Sequence, residues 1–232
     1  MRIIFLGDSL THGTIGASYF SILQNKIPKH KLINYGKNGD TTAGLLKRMK
    51  KIDLKDPIDI VFLWIGVNDI LIQISWSFPI KNKLYFQPWS KTCIHLEKCY
   101  TAILEILTTK AQKVYTVSPL FIGENILNPW NVQLTTVSRS INELSTHYKN
   151  VNFIDLRKKF KDHLLKNPSS NFIQKSTISG AIDAIKLRTC DKIDAKAKQR
   201  GLQFTMDGIH LNSAGAQIVA EVFSEKIRKK IV

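Results

Sequence analysis

Residues 59–66, DIVFLWIG, form the most apolar run in the chain. So short a run has no polar face to offer water, so it reads as a strand covered on both sides, at the centre of a sheet. Four other runs repeat the pattern: RIIFL (2–6), closed by Gly7, KLINYG (31–36), KVYTVSP (113–119) and VNFIDL (151–156). Helical patterning fills the intervals at 14–27, stopped by Pro28, and at 42–52, 91–109, 131–148 and 213–230. Asp40 or Thr41 is placed to cap the helix at 42–52. Strands that alternate with helices pair in parallel and carry helices on both faces of the sheet. The expected fold is α/β, a three-layer α/β/α sandwich on five parallel strands.

A chain of 232 residues fits one larger domain, 1–232, with enough core to need neither disulfides nor metal. Two segments exceed what the connections require, and long connections tend to be functional or mobile. Residues 70–90 carry Trp76, Phe78, Tyr85, Phe86 and Trp89 in a non-periodic setting with two prolines. Residues 165–204 form a polar, lysine-bearing stretch before TMDGIH. There is no internal repeat and no low-complexity tract.

The net charge is +16, with half of it in residues 155–232, where RKKFK (157–161) and KIRKK (226–230) recur near helical spacing. These runs read first as solvated helix faces and second as attraction to anionic surfaces such as lipid headgroups or acidic polysaccharide. The charge is dispersed and no stacking motif accompanies it, so nucleic acid is not an expected partner. Cys93, Cys99 and Cys190 are too few for a disulfide framework and are expected as reduced, mostly buried thiols. FLGDS starts five residues in, with no signal peptide before it, so a native start would place the protein in the cytoplasm.

Ligands of open α/β sheets bind beyond the carboxyl ends of the strands. Four polar clusters fall just after strands or at helix starts: GDSLT (7–11), NGDTT (38–42), GVND (66–69) and DGIHLN (207–212). Ser9 is either the cap of the next helix or a nucleophile, and a serine nucleophile needs a base. Of six histidines, His210 has Asp207 three residues earlier, a spacing that can orient the ring and stabilise an imidazolium. His12 is close to Ser9 in sequence but is better placed to point along its helix. Asp8 could be read as a metal ligand or phosphoryl acceptor, but the further carboxylates such a site wants are missing. An acyl-transfer site also needs oxyanion donors. The Ser9 N–H, the Gly39 N–H and the Asn68 amide answer to that need. Gly39 also reads as a turn glycine, and Asn68 and Asp69 as caps, with Asp69 holding its loop by hydrogen bonds.

Taken in order, GDSLT, the glycine of NGDTT, GVND and DGIHLN resemble the four blocks of the SGNH, or GDSL, hydrolase family across the whole chain. The resemblance implies Ser9 as nucleophile, Gly39 and Asn68 as oxyanion partners, and Asp207 with His210 as acid and base. It implies the same sandwich fold, and cleavage of esters or thioesters with no metal or other cofactor. The two long segments bear on substrate choice. The aromatics of 70–90 are either core packing or a wall for an acyl chain or sugar ring. Lysophospholipid, O-acetylated carbohydrate and acyl thioester all stay open as substrates, as does oligomeric state. The rival from another class is a silent carbohydrate- or anionic-lipid-binding module on the same scaffold. A histidine base also implies a rate that falls on acidification, near the ordinary imidazole value of about 6.5.

Overall fold

The computed structural model describes residues 1–55, 57–74, 88–90, 92–167, 169–175 and 177–229. All five expected strands form: β1 (Arg2–Gly7), β2 (Lys31–Gly36), β3 (Ile58–Trp64), β4 (Ala111–Val117) and β5 (Val151–Ile154). They pair in parallel in the order β2-β1-β3-β4-β5. Gly7 at the end of β1 stands level with Gly36 on one side and Trp64 on the other. The loops that follow β1, β2 and β3 therefore leave the sheet along one edge. GDSLT, NGDTT and GVND are carried there together.

Helices cover both faces. α2 (Tyr19–Lys26) packs on α10 (Ser213–Arg228), and α10 also meets α7 (Leu156–Lys166) and α9 (Cys190–Gln199). In the opposite layer α3 (Thr42–Met49) packs on α5 (Cys93–Lys110), and α5 on α6 (Pro129–Thr146). The short helices α1 (Ser9–His12) and α4 (Val67–Leu71) follow β1 and β3 directly, while α8 (Thr177–Lys186) precedes α9. Phe62 of β3 stacks between Phe5 of β1, at 5.0 Å, and Tyr115 of β4, at 5.2 Å. Phe223 of α10 caps that row at 4.5 Å from Phe62. The apolar run 59–66 thus sits where two helix layers meet the sheet centre. Among the described residues, no helix is long and apolar enough to cross a membrane.

Three expectations change. The helix expected over 14–27 begins only at Tyr19, capped by Ser18. Gly13 (φ +76°) and Gly16 (φ +77°) take left-handed backbone that interrupts a helix, and Ala17 N–H donates instead to Leu211 O at 2.7 Å. The segment 165–204 is largely helical, and its residues Ile193, Ala197 and Leu202 make a small second core with Met206, packed against Ile15, Phe172 and Leu187. Of the three thiols only Cys99 is buried; Cys93 and Cys190 sit exposed in the first turns of α5 and α9. Helix caps need neither residue inside, so neither was drawn into the core.

Candidate active site

Ser9 is the first residue of α1, directly after the turn that ends β1. The cap is its neighbour: Asp8 Oδ1 accepts the Leu10 N–H at 3.0 Å. The Ser9 side chain is therefore released from capping, and its N–H, at the first helical position, has no intrahelical acceptor. The Ser9 hydroxyl lies 3.0 Å from His210 Nε2, across 201 residues of sequence. His210 Nδ1 lies 2.7 Å from Asp207 Oδ2. The other oxygen of Asp207 accepts the backbone N–H groups of Ile209 at 2.9 Å and His210 at 2.7 Å. One carboxylate thus fixes both the ring and the chain that bears it.

Buried carboxylates surround this line. Burial pushes the Asp207 carboxyl up, but the His210 charge and the hydrogen bonds from His210 and Ile209 outweigh it and hold the group below its ordinary range. Asp8 has a single backbone donor, and burial raises it to about 7. Asp69 is raised by burial to about 6, although Thr42 and Ser90 hydrogen bonds pull the other way. Asp69 Oδ2 accepts both the backbone N–H of Thr42, at 2.9 Å, and its hydroxyl, at 3.0 Å, which joins the third-strand loop to the start of α3. Thr41, not Asp40, caps α3 through Gly44 N–H at 3.0 Å. Asp40 takes Arg48 Nε at 2.6 Å, and Arg48 Nη2 also reaches the carbonyls of Gly7 and Tyr35. The ends of β1 and β2 are tied in this way to the loop that carries Gly39.

Asn68 is buried in α4, and its Nδ2 donates to the Asp40 carbonyl at 2.8 Å. Gly39 has φ +72°, and a Cβ built on it would meet nothing within 4 Å. Ser9, Gly39, Asn68, Asp207 and His210 all line one cleft of about 770 Å³. The loop 13–16, with Asn38 and Gln174, forms more of its wall, and Ile185, Leu187 and Arg188 from the end of α8 onward complete it. His12 is exposed, bonded to Thr14 Oγ1 at 2.8 Å, and takes no place in this lining. Trp89 is half-buried and likewise does not line the cleft; Trp76, Phe78, Tyr85 and Phe86 lie outside the described residues. Among the described residues, no group of three or more His, Cys, Asp and Glu is placed to hold a metal ion.

Sequence reasoning missed the glycine loop 13–16 and Glu124, and it marked 165–204 as bearing on substrate choice without naming the α8 residues that wall the cleft. Glu124 is a buried acid that accepts four hydrogen bonds from residues 203–205, just ahead of Asp207, and a fifth from the Ser169 hydroxyl. A lone acid within PLFIGENIL was the available signal, since a charge in so apolar a setting demands partners.

The pattern of the GDSL-like Lipase/Acylhydrolase family matches residues 5–218. An acetylxylan esterase of Geobacillus stearothermophilus is 22% identical over 183 residues, which span 70% of this chain and 79% of that one. The crystal structure of an acetylxylan esterase from that organism superposes with a TM-score of 0.67 at 19% identity, covering 97% of this chain and 93% of the other. That of an acetyl xylan esterase named AlAXEase gives 0.68 at 24% identity, over 98% and 100%. Fold, block order and family match agree: the chain belongs to the GDSL-like lipase/acylhydrolase family of carboxylic ester hydrolases.

Proposed function

We propose that the protein is a serine esterase that acts through an acyl-enzyme and removes acetyl groups from carbohydrate. The observation that carries this reading is the line Asp207–His210–Ser9, with contacts of 2.7 and 3.0 Å, on the floor of an open cleft. As Ser9 Oγ bonds to the ester carbonyl carbon, its proton passes to His210 Nε2 and the carbonyl π pair moves onto oxygen. The Ser9 N–H, the Gly39 N–H and Asn68 Nδ2 receive that oxyanion. The Asn68 amide nitrogen has two hydrogens, and the Asp40 carbonyl takes one, which orients the other. Collapse breaks the bond to the leaving alcohol, which takes the proton back from His210. Water, deprotonated by the same ring, then releases acetate and regenerates Ser9.

Two lines support the acetylated-carbohydrate assignment. The family relatives named above are acetylxylan esterases. The cleft also pairs polar groups of Thr14, Asn38, Gln174 and Arg188 with the apolar side chains of Ile15, Leu71, Leu187 and Ile209, a mixture that suits a sugar ring. One observation favours a second reading: Ile185 on the cleft wall is 64% exposed, as a surface for an acyl chain would be. A panel of p-nitrophenyl esters from acetate to decanoate, with acetate release from acetylated xylan, separates the two. The proposal expects a sharp preference for acetate, release from the polysaccharide, and labelling of Ser9 by a fluorophosphonate that Ser9→Ala abolishes. A medium-chain optimum assigns the lipid reading, and neither hydrolysis nor labelling leaves only a binding module.

A further inference from the structure

Glu124 lies in the connection between β4 and α6 and is 1% exposed. Its Oε1 accepts the backbone N–H groups of Phe204 and Thr205 and the Thr205 hydroxyl, each at 2.8 Å. Its Oε2 accepts the Gln203 N–H at 2.7 Å and the Ser169 hydroxyl at 2.5 Å. Among the described residues no lysine or arginine pairs with it. Buried charge in that position is held by donors alone, three of them successive N–H groups of one segment. So many donors on one carboxylate fix the backbone of 203–205 closely.

That backbone is the near side of the turn that bears the catalytic pair. The Thr205 hydroxyl also accepts the Gly208 N–H at 3.2 Å, and the Gly208 carbonyl accepts the N–H of Gly123, the residue before Glu124, at 2.6 Å. The 123–124 dipeptide therefore holds the turn on both sides of Asp207. Across the turn, Met206 N–H donates to His210 O at 2.8 Å and Asn212 N–H to Phe204 O at 3.0 Å. A shift of 203–205 is passed through these bonds to His210.

We propose that Glu124 is a positioning residue of the esterase, which sets the placement of Asp207 and His210 against Ser9 without touching substrate. The proposal rests on the reading of those three residues as the catalytic relay. In E124Q the amide NH2 must face at least one donor, because the Gln203, Phe204 and Thr205 N–H groups cannot accept. The turn relaxes, and displacement by about 1 Å at a reacting group costs up to about 10²-fold.

The test compares wild type, E124Q and Thr205→Val by kcat and KM on p-nitrophenyl acetate, rate of fluorophosphonate labelling, thermal unfolding, and the low-field proton resonance of the Asp207–His210 hydrogen bond. E124Q is expected to lower kcat and labelling rate by about 10–100-fold with KM nearly unchanged, and to shift or broaden the resonance well below its unfolding temperature. T205V is expected to do the same to a smaller degree, and decides the matter if E124Q does not fold. Wild-type kcat, labelling and resonance in a folded variant overturn the proposal, as does a lowered unfolding temperature with all three intact. If the wild type cleaves no ester, the esterase reading fails by itself, and the resonance still reports whether Glu124 positions the pair.

Discussion

Asp207→Asn separates the orientation of His210 from the folding of its loop. Asparagine has one side-chain oxygen, and in this turn two backbone N–H groups, from Ile209 at 2.9 Å and His210 at 2.7 Å, compete to hold it. The oxygen stays with them, so the NH2 group faces His210 Nδ1, which must then accept. A neutral ring in that tautomer carries its hydrogen on Nε2, toward Ser9 Oγ at 3.0 Å, and cannot take the serine proton. The expected loss is about 10⁴-fold in kcat, equal to about 5 kcal/mol of barrier. KM should change little, because the backbone of the turn keeps its bonds. A second readout comes from stability. The Asp207 carboxyl is held below its ordinary range, so its contribution is full above the unfolded value of 3.8 and is lost as pH falls through the folded value. The variant should therefore be less stable than wild type at pH 7 and converge on it in acid. Turnover of p-nitrophenyl acetate within tenfold of wild type, in a variant with native circular dichroism, would refute the role given to Asp207.

Asn68→Ala removes a proposed oxyanion donor and should lower kcat by about 10²–10³ with a small change in KM, measured on the same ester; an unchanged kcat would move the oxyanion elsewhere in the cleft. Asp8→Asn tests the electrostatic cost beneath the nucleophile. Burial raises Asp8 to about 7, so its effect on stability is favourable below about 4 and is lost as pH rises to about 7. Urea unfolding should show the variant gaining on wild type by about 1.4 kcal/mol per pH unit over that interval and by a constant amount above it. A difference that does not vary with pH would mean that folding leaves the Asp8 carboxyl unshifted from its unfolded value, against the effect of burial.

What the sequence disclosed and what it hid follow from the distance over which each feature is encoded. The strands were legible because burial on both faces leaves an unbroken apolar run, and β3 is the extreme case. The proposed catalytic pair was legible because Asp207 and His210 are joined by a local turn, and sheet topology then brings Ser9 to them. The helix over 14–27 was misread because its periodicity is real only from Tyr19 on. Before that, Gly13 and Gly16 adopt backbone that serves a contact with Leu211, almost two hundred residues away. Glu124 was hidden for the same reason: its partners at 203–205 stand about eighty residues off, and a lone acid among apolar residues marks a need for donors without saying where they are. Yet the two kinds of feature depend on each other. The local Asp207–His210 turn can orient an imidazole, but it cannot by itself bring that ring within 3.0 Å of Ser9. That approach needs the turn seated from outside, by Ala17 on the carbonyl of Leu211, by Gly123 on the carbonyl of Gly208, and by Glu124 on the segment that enters it. The residues to which the proposal gives the chemistry are therefore the readable part of the site, and those that bring them into register are set by tertiary contacts that no short stretch contains.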